Sequence, residues 1–307
     1  MAEGSQVRRW RPGWDLDVYD VIRVVRRGGR DPAFQRDADG TVWRAARTPH
    51  GTATLRVTTY RRDGEVELEA WGDGRAWALD RAPALLGADD DLSGFEPHDA
   101  RVRAAWMRDR RWRMSRTGLV LEALVAAVLE QRVTGQEAWT GWRLMLQRFG
   151  DPAPGPGEQR GLRCLPTAQV LTQIPSWEWL RCQVDGSRSA TVVRCASRSD
   201  SLERTLGLPA EAVDRRLRSI PGVGAWTSAE VRQRAHLDAD AVSFGDYHVG
   251  RHLGLALLGH EATDDELAEL LEPDRPHRYR IQHIVTTRMP GRARHWPRPA
   301  PRRHLPR

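Results

Sequence analysis

The sequence predicts an α+β fold: a small N-terminal α/β domain built on an antiparallel sheet, followed by an all-α core. Three observations predict it. Short β-branched segments separated by turns fill the first hundred residues. From about Thr117 onward the apolar positions take a helical spacing. A Pro-Gly-Val-Gly turn at 221–224 then joins two of the predicted helices.

Four early segments read as strands: Val18 to Val25, Val42 to Thr48, Thr52 to Tyr60 and Glu65 to Trp71. Each is β-branched with partial alternation, and Asp39-Gly40, Pro49-His50-Gly51 and Asp63-Gly64 supply turns between them. A helical stretch follows from Gly74 to Leu86, and Asp89-Asp90-Asp91 reads as solvated loop. Leu119 to Leu129 is apolar nearly all round, as a buried central helix is. At eleven residues it is far too short to cross a membrane. Ala138 to Phe149 is the next helix, and Asp151 to Gly157 a Pro/Gly loop. Thr167 is placed to cap the helix that opens at 166–171. Helices are also expected over 187–196, 210–219, 247–258 and 264–271, the last with a Thr263/Asp264 start and Glu266 near by. Residues 290–307 are Pro/Arg-rich and expected to be disordered. The division expected is 1–115 for the α/β domain, 116–289 for the helical domain and 290–307 for the basic tail.

A formal net charge of +7 suits a polyanionic partner, because binding releases counterions from phosphates. No lysine occurs, so all 48 basic Lys+Arg residues are arginine and no side-chain amine is available for a Schiff base. The three cysteines, Cys164, Cys182 and Cys195, form no Cys-x-x-Cys pair. That argues against a disulfide framework or a thiolate-bound zinc, and the expected compartment is the reducing cytoplasm. No apolar run approaches a membrane span, and the polar, Arg-bearing start is not a signal peptide. His248 and His252 share a helix face, but no glutamate follows His248 and no third ligand is evident, so no metal is expected.

The most specific segment is Ile220-Pro221-Gly222-Val223-Gly224-Ala225-Trp226-Thr227. Two glycines this close let backbone N–H groups reach out without Cβ obstruction, at the start of a helix whose dipole favours an anion. The turn Pro221-Gly222-Val223-Gly224 is therefore the expected grip on the DNA backbone, through the amides of Gly222, Val223 and Gly224, with the Thr227 hydroxyl adding to it. A dinucleotide fingerprint is excluded, since Thr227 stands where its third glycine would be. Arg215, Arg218 and Arg251 add charge near by, on what reads as a solvated face.

This hairpin, followed by Asp246-Tyr247, resembles the helix-hairpin-helix (HhH-GPD) DNA glycosylase superfamily, and within it the 3-methyladenine DNA glycosylase II type. The resemblance implies an N-terminal α/β domain and a helix-hairpin-helix glycosylase core. It implies a monofunctional enzyme of base excision repair that flips a damaged base, an alkylated purine, and hydrolyses its N-glycosidic bond. Asp246 would be the catalytic carboxylate, and it is also placed to cap the helix that follows. Trp226 stands where lyase members carry lysine, so no strand cleavage is expected. Trp226, Glu230, Tyr247 and Val285 would line the base pocket, and Gln131 and Arg132 would form the wedge that fills the vacated stack. Glu230 and Val285 stand where aromatic residues are often found, which leaves open a glycosylase for deaminated or other lesions. A non-catalytic DNA-binding module is a further alternative. The iron–sulfur members' four-cysteine cluster has no counterpart here. No cofactor is expected beyond a structural monovalent cation at the hairpin. The expected partner is damaged double-stranded DNA, with the protein a monomer and no membrane association.

Overall fold

A computed structural model of the chain describes residues 4–60 and 62–289, so the tail from 290 lies outside the described residues. The N-terminal part is a five-stranded antiparallel sheet. Its strands are β1 (Gln6–Trp10), β2 (Phe34–Arg36), β3 (Val42–Thr48), β4 (Gly51–Tyr60) and β5 (Glu65–Trp71), in the order β1-β5-β4-β3-β2. Val42 pairs with Val57 and Thr54 with Trp71, and this register sets which side chains share a face. On one face Leu55, Val57, Val66, Leu68 and Ala70 bury against α1 (Val18–Ile22) and α2 (Arg75–Leu85). On the other, Trp43 stacks on Trp71 with ring centroids 5.8 Å apart. A two-stranded ribbon, Asp151–Pro152 with Arg163–Cys164, supplies Cys164 to that second cluster.

One expected strand is a helix. Val18 to Val25 forms α1 and a 3₁₀ turn, Arg23–Val25. Its buried positions, Val18, Val21 and Ile22, follow the i, i+3, i+4 pattern of a helix face, and the Asp17 side chain accepts the Asp20 N–H to start it.

The helical part comprises α3 (Ala100–Arg108), α4 (Val120–Leu129), α5 (Gly135–Phe149), α6 (Pro156–Gln159), α7 (Ala168–Gln173), α8 (Ser176–Arg181), α9 (Gly186–Ala196), α10 (Ser199–Glu203), α11 (Ala210–Arg218), α12 (Ala225–Val231), α13 (Tyr247–Leu253), α14 (Asp264–Leu271) and α15 (Arg278–Arg288). Helix α4 is the centre of the larger core. Its side chains pack with Trp142, Met145, Trp179, Val192, Leu202, Leu217 and Val231 from the surrounding helices.

Both ends of α4 are capped from elsewhere in the chain. Glu203 accepts the Val120 and Leu121 N–H groups at 3.0 and 2.8 Å. Arg188 donates to the Leu129 carbonyl at 2.7 Å. An anion at the N-terminus and a cation at the C-terminus oppose the helix dipole, each worth about 0.3–1 kcal/mol. Burial raises the Glu203 pKa, although its two backbone donors act the other way. This clamping sets where α4 ends, and hence where the turn at 130–134 projects.

A second apolar cluster joins α3 to the last helices: Phe95, Val102 and Trp106 pack with Val249, Leu253, Leu267, Ile281, Ile284 and Val285. Among the described residues no helix is long and apolar enough to cross a membrane.

Candidate active site

The hairpin between α11 and α12 is held by its apolar side chains. Leu217, Ile220 and Val223 sink into the main core. This fixes the turn but engages the Val223 N–H internally, on the Ile220 carbonyl at 2.9 Å. Val223 is thereby removed from the set of phosphate-facing amides. The helix's own i−4 bonding begins only where Ser228 donates to Gly224, so the first-turn amides of α12 have no acceptor within the helix. Gly222 has φ +96°, and a Cβ there would lie 2.2 Å from Thr191 Oγ1 on α9. Both facts require glycine at this position.

Thr227 is 2% exposed, and its hydroxyl accepts from Gln131 Nε2 at 2.8 Å, so it braces the interior. Gln131 Nε2 also donates to the Gly222 carbonyl at 2.9 Å. The end of α4 is therefore tied directly to the hairpin, and Gln131 acts as the tie. Arg132 next to it is exposed and sits in the left-handed region at φ +54°. An L-residue there stores about 1–2 kcal/mol of strain, and the arginine is thrust outward beside the hairpin. Arg194 Nη1 donates to the Pro221 carbonyl at 3.3 Å. A cation held at this turn would have to use its remaining carbonyls.

Asp246 is the N-cap of α13. Its Oδ1 accepts from the His248 and Val249 N–H groups at 2.7 and 3.0 Å. Its Oδ2 accepts from the indole Nε1 of Trp226 at 3.1 Å. The carboxylate thus meets the aromatic that opens the hairpin's second helix, although 20 residues separate them. A tight turn delivers it: the Asp246 N–H donates to the Ser243 carbonyl at 3.2 Å, and Gly245 takes φ +83° within that turn.

The remaining pocket candidates fall differently. Glu230 is buried, with Arg234 at 2.6 Å and the Ser243 hydroxyl donating to it at 2.7 Å. Val285 is 4% exposed and lies inside the apolar cluster of the last helices. Tyr247 opens α13, and its side chain lies outside the described set. The structure therefore brings Trp226 and Asp246 together, and Gln131 with the hairpin; it places Val285 in packing. The rings of His248 and His252 stack 6.1 Å apart, and among the described residues no group of three potential metal ligands forms.

The sequence reading missed several features. Trp112 stacks on His283 at 3.7 Å, with Tyr279 beside it. Burial, aided by Arg23 and Arg288, drives the His283 pKa well below its ordinary value, so that ring is neutral. A cavity of about 720 Å³ opens behind α11 and α12, lined by Val213, Asp214, Arg232, Phe244 and Arg278 among others. Neither Asp246 nor Trp226 lines it.

This sheet, helical core and hairpin make up a DNA-glycosylase fold. No protein-family model matches the chain, and no curated protein matches it. Solved structures do. The Clostridium acetobutylicum 8-oxoguanine glycosylase/lyase superposes with TM-score 0.73 at 12% identity, over 94% of this chain and 99% of that one. The Archaeoglobus fulgidus 3-methyladenine DNA glycosylase gives 0.74 at 17% identity, over 91% and 96%. The Schizosaccharomyces pombe 3-methyladenine DNA glycosylase, solved with abasic DNA, gives 0.51 at 18%, over 63% and 92%.

Proposed function

We propose that the chain is a monofunctional DNA glycosylase of base excision repair, acting on alkylated purines in double-stranded DNA. The observation that carries this reading is the Trp226–Asp246 hydrogen bond, which joins a backbone-gripping hairpin to a carboxylate. The first-turn amides of α12 hold a phosphate, Arg132 enters the vacated stack, and Asp246 lies beneath the everted sugar. As the N-glycosidic bond breaks, its electron pair leaves with the base and the sugar gains oxocarbenium character. The carboxylate stabilises that charge and accepts a proton from the water that adds to C1′. With no lysine in the chain, no side-chain amine can replace this water as nucleophile. Trp226 offers an indole face to a cationic alkylated base.

A second reading rests on Glu230, which lies one turn beyond Trp226 in a buried polar cluster. It favours a lesion with a polar edge, such as a deaminated base. An excision screen with alkylated, deaminated and oxidised duplexes, each with and without alkali, separates the two. Asp246→Asn tests the mechanism: base release should vanish while duplex binding survives, and near-normal excision would exclude the role. Nicking by the wild type without alkali or heat would refute the monofunctional assignment.

A further inference from the structure

We infer that Ser243 is a positioning residue for the reaction, holding the Asp246 carboxylate through a buried hydrogen-bond hub. The inference rests on the reading of Asp246 given above. Ser243 is 1% exposed and precedes Asp246 by one tight turn. Its hydroxyl donates to Glu230 Oε1 at 2.7 Å. It accepts from Gln233 Nε2 at 2.9 Å and from Gln282 Nε2 at 3.0 Å. A hydroxyl has one donor and two acceptor positions, so every one is occupied. The backbone of the same residue is held as well: its N–H donates to Gln282 Oε1 at 2.9 Å, and its carbonyl receives the Asp246 N–H.

The partners come from two rigid elements. Glu230 is on α12, and Gln233 lies in the π-helical turn that continues it. Gln282 is on α15. Gln233 Nε2 also donates to the Ala241 carbonyl at 2.6 Å, which secures the start of the same loop. Arg234 pairs with Glu230 on the far side at 2.6 Å. Burial opposes the Arg234 charge, but Glu230 and Glu130 outweigh it and its pKa is raised. The hub therefore fixes the loop from both helices, while Trp226, on α12 itself, grips the carboxylate at the loop's end. Hydrogen bonds therefore run unbroken from hairpin to hub to carboxylate. Val242 and Phe244 pack into the apolar cluster of the last helices, and the Gly245 N–H donates to Asp264 Oδ1 at 3.0 Å; beside these contacts, the Ser243 hub joins the loop before Asp246 to both α12 and α15.

Displacing a reacting group by about 1 Å can lower a rate about 10²-fold. Ser243→Ala should lower the single-turnover release of methylated purines from dimethyl-sulfate-treated DNA by about 10-fold or more. KM, and the affinity for a duplex carrying a tetrahydrofuran abasic-site analogue, should stay within about threefold. Ser243→Thr, which keeps the hydroxyl, should recover most of the rate. Gln282→Met, which removes the second amide but keeps the length, should repeat the Ser243→Ala pattern and guards against a folding defect in either variant alone. A normal rate in folded Ser243→Ala and Gln282→Met would overturn the inference. So would a loss confined to KM. Asp246→Asn run alongside separates the failures. If it is inactive while Ser243→Ala is normal, the hub falls and the carboxylate's role stands. If it is active, the reading beneath both falls.

Discussion

Gly222→Ala is a sharp test of how the hairpin is built. Two separate effects act at this position. The backbone takes φ +96°, where an L-residue loses about 1–2 kcal/mol. The new methyl would also lie 2.2 Å from Thr191 Oγ1, 2.9 Å from its Cγ2 and 3.1 Å from its Cβ. Overpacking of this kind typically destabilises by about 1–3 kcal/mol. The sum is roughly 2–5 kcal/mol, or a fall of roughly 5–20 °C in Tm at the scale of a domain this size. Thr191→Ala removes the two closest atoms and leaves only the 3.1 Å contact, which a small shift relieves. The double variant should therefore recover the steric part, a coupling of about 1–3 kcal/mol, and keep the backbone part. Thermal and urea unfolding of the four proteins measures the cycle, and fluorescence anisotropy on an undamaged duplex follows the loss of phosphate grip. A single variant within about 0.5 kcal/mol of wild type, or a cycle without coupling, would refute the close approach of α9 to the turn.

Three further outcomes are expected. Arg132→Ala should weaken binding to an abasic-analogue duplex more than to undamaged duplex, and Arg132→Gly should do the same while gaining about 1 kcal/mol from relieved φ strain; equal losses on both duplexes would argue against insertion. Burial lowers the His236 pKa to about 4 from its ordinary 6.5. The unfolded chain therefore binds that proton first, so the stability is present above pH 6.5 and is lost as pH falls toward 4, by about 3 kcal/mol; His236→Gln should flatten urea-unfolding stability across that window, and an unchanged slope would contradict it. Residues 290–307 hold six arginines and no acid, which leaves a formal charge of only +1 on the first 289 residues. Ending the chain at Met289 should reduce the slope of log K against log salt by up to about 5, and an unchanged slope would show that DNA contact comes from the body alone.

The charge distribution also marks how far the sequence could be read. The +7 total pointed to a polyanion, yet its excess belongs to the tail, while the body pairs its arginines with acids, as in Arg280–Asp90 and Arg278–Asp240. Strand β4 was legible because it is rich in β-branched residues, β5 because it alternates acidic and apolar residues, and β3 because it lies between clear turns. Strand β1 was not, since four of its five residues are exposed at the sheet edge. Val18 to Val25 misled because β-branched composition outweighed the i, i+3, i+4 spacing. The caps of α4 were invisible in principle: Glu203 lies 82 residues beyond the amide of Leu121, and no local pattern announces it.

The site divides along the same line. Trp226 and Asp246 were singled out because the hairpin motif and the Asp-Tyr that follows it resemble a known family, and turn and capping residues leave short local signatures. What joins them is tertiary. The indole of Trp226 joins α12 to the start of α13, the Ser243 hub joins the loop to α12 and α15, and a serine among many serines carries no local mark. Val285 shows the converse: the resemblance implied a pocket wall there, but the last helix turns that position into the apolar cluster with Leu253 and Ile281. The proposed catalytic pair was thus legible, whereas the contacts that hold it together were not. Positioning is a property of which elements meet: Ser243 bonds Glu230 at 13 residues' separation and Gln282 at 39, while Gln233 bonds Ser243 and Ala241 at ten and eight.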